Sequence, residues 1–336
     1  MFSKLYDTIK RMIKENLGFL ITFFVLLIVF TLEFPYYIDT PGGIIDVGDR
    51  ITIKGEYQPS GSFNLAYVSE LKATIPTLLL AKLKKDWDII PKSEVVASNE
   101  RVEDVTFRDQ LMLKTANQNA ILVAYREAQK QVTIKEQSFY VTYIMEDANT
   151  TLQVQDQLLT LNEHEIKTNE DISSFLNQKK VGDTVTFEVI RNNKKTTATA
   201  VIQKEENRNI IGILATKDQT IEMDPQIEFH FKSSESGPSG GLMMTLAIYN
   251  YLIPEDLTKG RIIVGTGTIA EDGTVGSIDG VKYKLKGAIK AGADLFFVPS
   301  GRNYDEAKQY AKEQGYTIPI IPVKTFYDAL EYLKQL

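Results

Sequence analysis

The chain has 336 residues, 43% of them hydrophobic and 24% charged, a folding composition long enough for two or three globular units. Its net charge of −6 excludes a nucleic-acid-binding reading, which needs basic faces. With no cysteine and only His164 and His230, disulfides, thiolate or multi-histidine metal sites and a cysteine nucleophile are excluded, so neither metal nor cofactor is expected.

The first predicted element is a membrane anchor. Leu17 to Leu32 reads "LGFLITFFVLLIVFTL" without a charge. Phe34, Tyr36 and Tyr37 extend it toward the roughly 20 residues that cross a bilayer, and the tyrosines suit the interface. Lys4, Lys10, Arg11 and Lys14 precede the run; Asp39, Asp46 and Asp49 follow it. That asymmetry keeps the N-terminus cytoplasmic and places the chain after residue 36 outside the cell. "TLEFPYY" holds no small-residue cleavage site, so an uncleaved, single-pass anchor is expected over residues 1–36, with lipid contact through 17–37.

Residues 37–130 read as a β-rich ectodomain region with a packing helix. Strands are broken by "TPGG", "GEYQPSGSF" and "IIPKSE", and a short helix falls near "IPTLLLAKLKK". "GGIIDVGDR" has phosphate-loop spacing, but Asp49 and Arg50 stand where such a loop needs Lys and Ser/Thr. Residues 104–130 lack proline and glycine and carry an approximate apolar stripe, Leu111, Ala116, Ala120, Val123 and Ala124.

Residues 131–205 change character. "SFYVTYIM" and "DQLLTLN" are strands, and "TVTFEVIRNNKKTTATAVI" is a strand pair turning at Asn192-Asn193. "NEDISSFLNQK" is a helix capped at Asn169. This order, centred on "VQDQLLTLNEHEI", resembles a PDZ domain of the kind attached to bacterial proteases. Gln155 and Glu163 replace glycines of the usual pattern, and no Gly-Leu-Gly loop precedes Phe139. The resemblance implies peptide capture by strand addition along Phe139, Tyr140, Val141, Thr142 and Tyr143.

Residues 206–336 alternate strand and helix, an α/β pattern. "QIEFHF" leads into Gly237-Pro238-Ser239-Gly240-Gly241, ahead of the apolar helix Leu242 to Leu252. A tight turn at a helix start aims N–H groups and the helix dipole at one spot, the parts of an oxyanion site around a serine. His230 lies nine residues earlier on the entering strand, so a lysine is the alternative base, because burial lowers its pKa toward neutrality. Lys282 and Lys286 share a helix face; Lys284 lies roughly opposite.

The segment Ser236 to Pro299 resembles the proteolytic domain of Lon proteases. Gly237-Pro238-Ser239-Gly240-Gly241, Thr266-Gly267-Thr268-Ile269, Asp279-Gly280-Val281-Lys282-Tyr283-Lys284 and Ala291-Gly292 before "LFFVPS" follow that family's order. The resemblance implies a serine–lysine dyad of Ser239 and Lys284, with Thr266 holding the amine and Gly237, Pro238 and Gly240 shaping the turn. Gly240, Ser236, Thr268 and Asp279 depart from the usual alanine, acid, glutamate and glycine.

The expected fold is therefore α+β and multidomain: a transmembrane helix, a PDZ-like domain and a Lon-type domain. With no ATPase module, it resembles the membrane-anchored Lon-like peptidases of Gram-positive bacteria. That resemblance implies an ATP-independent extracytoplasmic serine endopeptidase acting on secreted peptides or exposed segments, and assembly into homo-oligomeric rings. The competing expectation is a tethered peptide-binding scaffold with an inactive protease domain.

Overall fold

The computed structural model describes residues 2–55, 57–96 and 100–336; Glu56, in the expected Gly-Glu-Tyr turn, falls outside them. The chain divides into two compact units, residues 1–41 with 68–95, and residues 42–67 with 96–336.

The first unit begins with helices Phe2–Glu15 and Leu17–Thr31, bent by 71° where they meet. The second is apolar throughout and buries none of its residues. It ends at Thr31, not near Tyr37, because the chain turns extended at Leu32 and Tyr36 already opens strand Tyr36–Asp46. Its 15 residues rise about 22 Å, below the ~30 Å of a bilayer core. No single described helix is long and apolar enough to cross a membrane; the bent pair passes that test together. Beyond it, Asp88–Pro91 runs antiparallel to Tyr36–Asp39. Helix Ile75–Leu83, capped by Thr74 and Thr77, closes a small core of Ile38, Ala73 and Ala81 with Leu71, Leu78 and Trp87.

In the second unit, four strands form a parallel array. Ser62–Leu65 pairs with Ile262–Gly265, which pairs with Leu295–Phe297; Phe296–Pro299 then pairs with Ile320–Val323. Helices Val281–Lys290 and Arg302–Gln314 make the crossovers that parallel strands require, and helix Phe326–Gln335 follows. One core joins Val47, Phe63 and Leu65 to Ala120–Tyr125 of the long helix Val102–Glu127 and to Leu242–Leu252. Ile51–Ile53 also pairs with Ile227–Phe229. The structure thus differs from a division into separate 37–130 and 206–336 regions. Residues 42–67 and the long helix share the core of the C-terminal α/β fold. Three-residue strands such as Ile51–Ile53 cannot bury their apolar faces alone; their partners lie some two hundred residues away in sequence.

Between the long helix and strand Ile227–Phe229 sits the insert. Strands Gln131–Ile144 and Ile213–Asp224 form an antiparallel ribbon, continued by Gln157–Leu161, Thr184–Arg191 and Lys194–Val201. The turn at Asn192-Asn193 carries φ of 51° and 60°, the left-handed pair a two-residue hairpin needs. Helix Asn169–Asn177 is capped by Thr168, one residue before the expected Asn169, because Thr168 and Asp171 form a reciprocal capping box. Phe139, Val141, Leu158, Phe187 and Ile211 fill this second core.

Candidate active site

Ser239 lies in the turn that opens helix Gly241–Leu252, and its side chain is half-buried. Gly237 has φ +86°, a left-handed conformation that glycine adopts without strain, and its N–H donates to Asp109 O at 3.1 Å. Gly241 must be glycine for a different reason: an added Cβ would lie 2.7 Å from Ile269 Cγ2 and 2.9 Å from its backbone nitrogen. At Gly240 the added Cβ would meet only the Leu65 side chain, tight against Cδ2 at 3.1 Å and in ordinary contact with Cβ at 3.5 Å.

The approach to the turn is fixed by charge. Arg50 donates to Glu235 from Nε at 2.9 Å and Nη2 at 2.7 Å, and Glu235 also accepts the Lys232 N–H at 3.0 Å. These bonds overcome the desolvation of its burial and hold the Glu235 carboxyl below its ordinary range. Arg50, which disqualified "GGIIDVGDR" as a phosphate loop, thus steadies the approach to Ser239. His230 is exposed, and its ring bonds to Thr52 Oγ1 at 3.0 Å. His164 is exposed too, its ring tilted at 54° against Phe175.

Strands Ile262–Gly265 and Thr268–Ile269 are interrupted at Thr266-Gly267, and the interruption grips the turn. Gly267 N donates to Ser239 O at 2.8 Å and Thr266 Oγ1 to the same oxygen at 3.1 Å; Leu242 N donates back to Gly267 O at 3.0 Å. With Gly241 N bonded to Pro238 O, the N–H groups of Ser239 and Gly240 have no protein acceptor among the described residues.

Lys284 comes from helix Val281–Lys290, which starts after Gly280 at φ +70°. Lys284 is 5% exposed, and its amine donates to Thr266 Oγ1 at 3.3 Å; Thr266 is fully buried. Burial pulls the Lys284 pKa down to about 8, against a smaller upward pull from Asp279. Asp279 is exposed and paired with Arg302 at 3.3 Å. Lys282 and Lys286 are more exposed than Lys284, and the Lys282 amine sits over the Tyr283 ring. Thr266 therefore brings the Lys284 amine and the Ser239 backbone together on one hydroxyl. Such an arrangement supplies an amine whose pKa lies near 8, so that it loses its proton far more readily than an ordinary lysine, with a half-buried hydroxyl and two free N–H donors, a set suited to acyl transfer.

The strand expected to take up a peptide has no free edge. Phe139 to Tyr143 is internal: its strand pairs with Ile213–Asp224 on one side and Gln157–Leu158 on the other, and Phe139, Val141 and Thr142 are buried. Strand addition there is ruled out because both backbone edges are occupied. The outer strand on this side of the sheet is Ile213–Asp224, Lys194–Val201 being the other edge. A groove of about 350 Å³ lies between its first residues, Ile213 to Ala215, and helix Asn169–Asn177. The pattern "IIGIL", residues 210–214, with Gly212 at φ +69°, marks the start of this edge strand in the sequence; it follows the domain's other strands instead of preceding them. Past this groove the edge is closed. Thr115 Oγ1 donates to Lys217 O at 2.7 Å, and the Gln118 amide bonds both Gln219 O and Gln219 N, at 2.6 and 3.2 Å.

Family models match a PDZ domain over residues 116–202 and the Lon protease (S16) C-terminal proteolytic domain over residues 188–335. The second match leaves out residues 42–67 and the long helix, which the structure places in the same core. Among solved structures, the PDZ domain of an SdrC-like protein from Listeria innocua is 25% identical over 23% of this chain and 92% of that one, with a TM-score of 0.22. A counterpart from Listeria monocytogenes is 20% identical over 25% and 92%, at 0.23. A protein from Geobacillus thermodenitrificans is 25% identical over 22% and 92%, at 0.21. The chain joins a PDZ domain to the S16 proteolytic domain of Lon in one polypeptide, and so matches a PDZ-containing Lon-like protease.

Proposed function

We propose that the chain is an ATP-independent serine endopeptidase with Ser239 as nucleophile and Lys284 as general base, anchored by its N-terminal helices and acting outside the cell on peptides and exposed protein segments. The observation that carries this reading is the buried Lys284 amine, bonded to the same Thr266 hydroxyl that holds the Ser239 carbonyl. Neutral Lys284 takes the proton from Ser239 Oγ, and the oxygen attacks the peptide carbonyl. The N–H groups of Ser239 and Gly240 receive the oxyanion, helped by the positive end of the following helix. As the C–N bond breaks, the Lys284 ammonium returns the proton to the departing amine. Water, deprotonated by Lys284, then releases the acyl group and regenerates Ser239.

The groove between helix Asn169–Asn177 and strand Ile213–Asp224 is the peptide-recruiting surface in this reading, by strand addition to Ile213–Ala215. The anchor is supported by the apolar helix Leu17–Thr31, none of whose residues is buried, and the basic residues before it. Ring assembly follows only from the likeness to Lon. The full-length chain in lipid vesicles, incubated with peptides without ATP, tests the proposal: Ser239→Ala and Lys284→Met must each abolish cleavage while circular dichroism stays unchanged.

A further inference from the structure

Helix Ile75–Leu83 has two apolar faces, and among the described residues only one packs into a hydrophobic core. Leu78 and Ala81 face the small core of the first unit, beside Ile38 and Trp87. Leu79, Leu80 and Leu83 are 59%, 44% and 79% exposed. Positions 79 and 83 stack one turn apart, and 80 flanks them, so the three make a continuous patch. A helix apolar all round is normally covered on all sides.

Three observations say what covers it. First, the helix is tied to the end of the apolar N-terminal helix: Phe34 N donates to Ala73 O at 2.7 Å, and Lys72 Nζ pairs with Glu33 at 2.8 Å. Second, the 15-residue helix Leu17–Thr31 is about 8 Å too short for a bilayer core, so burying it fully draws its outer end, and the segment bonded there, toward the lipid. Third, exposed Lys82, Lys84 and Lys85 flank Leu83 at the end of the helix, where cationic heads on long stems meet anionic headgroups.

We infer that Ile75–Leu83 is a second membrane contact, an interfacial helix whose Leu79, Leu80 and Leu83 enter the outer leaflet beside the anchor. This rests on the anchored reading. It makes the first unit a lipid-seated collar and directs the enzyme to substrates at the membrane surface.

The absence of native cysteine permits a direct test. Single variants Leu79→Cys, Leu83→Cys, Leu27→Cys and Lys195→Cys of the full-length chain are labelled with an environment-sensitive fluorophore. They are reconstituted in phosphatidylcholine–phosphatidylglycerol vesicles with or without doxyl-labelled lipid. The expected result is blue-shifted emission at 79 and 83, quenched by shallow doxyl groups and no longer by aqueous iodide, while 195 stays iodide-sensitive. Iodide quenching at 79 and 83 equal to that at 195, with 27 still in lipid, overturns the inference and leaves the anchor standing. Protection from both quenchers means a protein surface, such as a second copy, covers the patch, and also overturns it. An aqueous reading at 27 removes the anchor itself and the inference with it.

Discussion

Replacing Lys284 by methionine should stabilise the fold while abolishing cleavage. In an unfolded chain a lysine titrates near 10.5; here burial brings it to about 8. That gap, at ~1.36 kcal/mol per decade, puts the penalty for burying the ammonium at about 3 kcal/mol. The sign follows from proton counts. Below pH 8 both states are protonated and the folded state carries the whole penalty. Between about 8 and 10.5 the unfolded state binds more protons, so stability rises with pH, and above 10.5 the penalty is gone. Methionine fills a similar volume without the charge, and the Thr266 hydroxyl keeps its bond to Ser239 O. Allowing roughly 1 kcal/mol for the lost lysine hydrogen bond, Lys284→Met should be more stable than the native chain by about 2 kcal/mol at pH 7. The difference should shrink steadily toward pH 9.5. Urea-dependent hydrogen exchange of the helix Val281–Lys290 amides, at pH 7 to 9.5, measures it locally. Equal stability at pH 7, or a difference that ignores pH, would refute the desolvated-lysine reasoning.

Four other predictions follow from the same geometry. The pH profile of kcat/KM should rise with unit slope and level off near 8, as the Lys284 amine loses its proton; a profile flat from pH 6 to 9 would contradict Lys284 as base. Thr266→Val should lower kcat about tenfold with little change in KM, because the hydroxyl bonds both the amine and the turn. Gly241→Ala should destabilise by about 1–3 kcal/mol and abolish activity, since its Cβ meets the Ile269 backbone, whereas Gly240→Ala should be active because Leu65 can yield. Leu214→Asp should weaken capture of apolar peptides, read by fluorescence anisotropy, while Tyr140→Ala should not, because Leu214 lines the open groove and Tyr140 lies on an internal strand.

What could be read without coordinates depended on contiguity. The turn at Ser239, the Thr266 segment and the Lys284 helix fall within about sixty residues in family order, so all three could be named. Periodicity separates Lys284 from Lys282 and Lys286 only as the odd face of a helix, and the resemblance to the Lon motif is what singles it out; its burial is a property of the packed core. The role of residues 42–67 was hidden because Ser62–Leu65 finds its parallel partner two hundred residues later, across an inserted domain. Phe139 to Tyr143 misled for a related reason. An alternating strand does not show which edge is free, and the strand that covers it arrives only at Ile213. Arg50 looked merely disqualifying until the fold brought Glu235 against it.

The most direct measurement is mass spectrometry of a peptide library incubated, without ATP, with the full-length chain in vesicles, beside Ser239→Ala and Lys284→Met. The account predicts new internal termini with the native chain and none with either variant. Cleavage that persists in Ser239→Ala would contradict it.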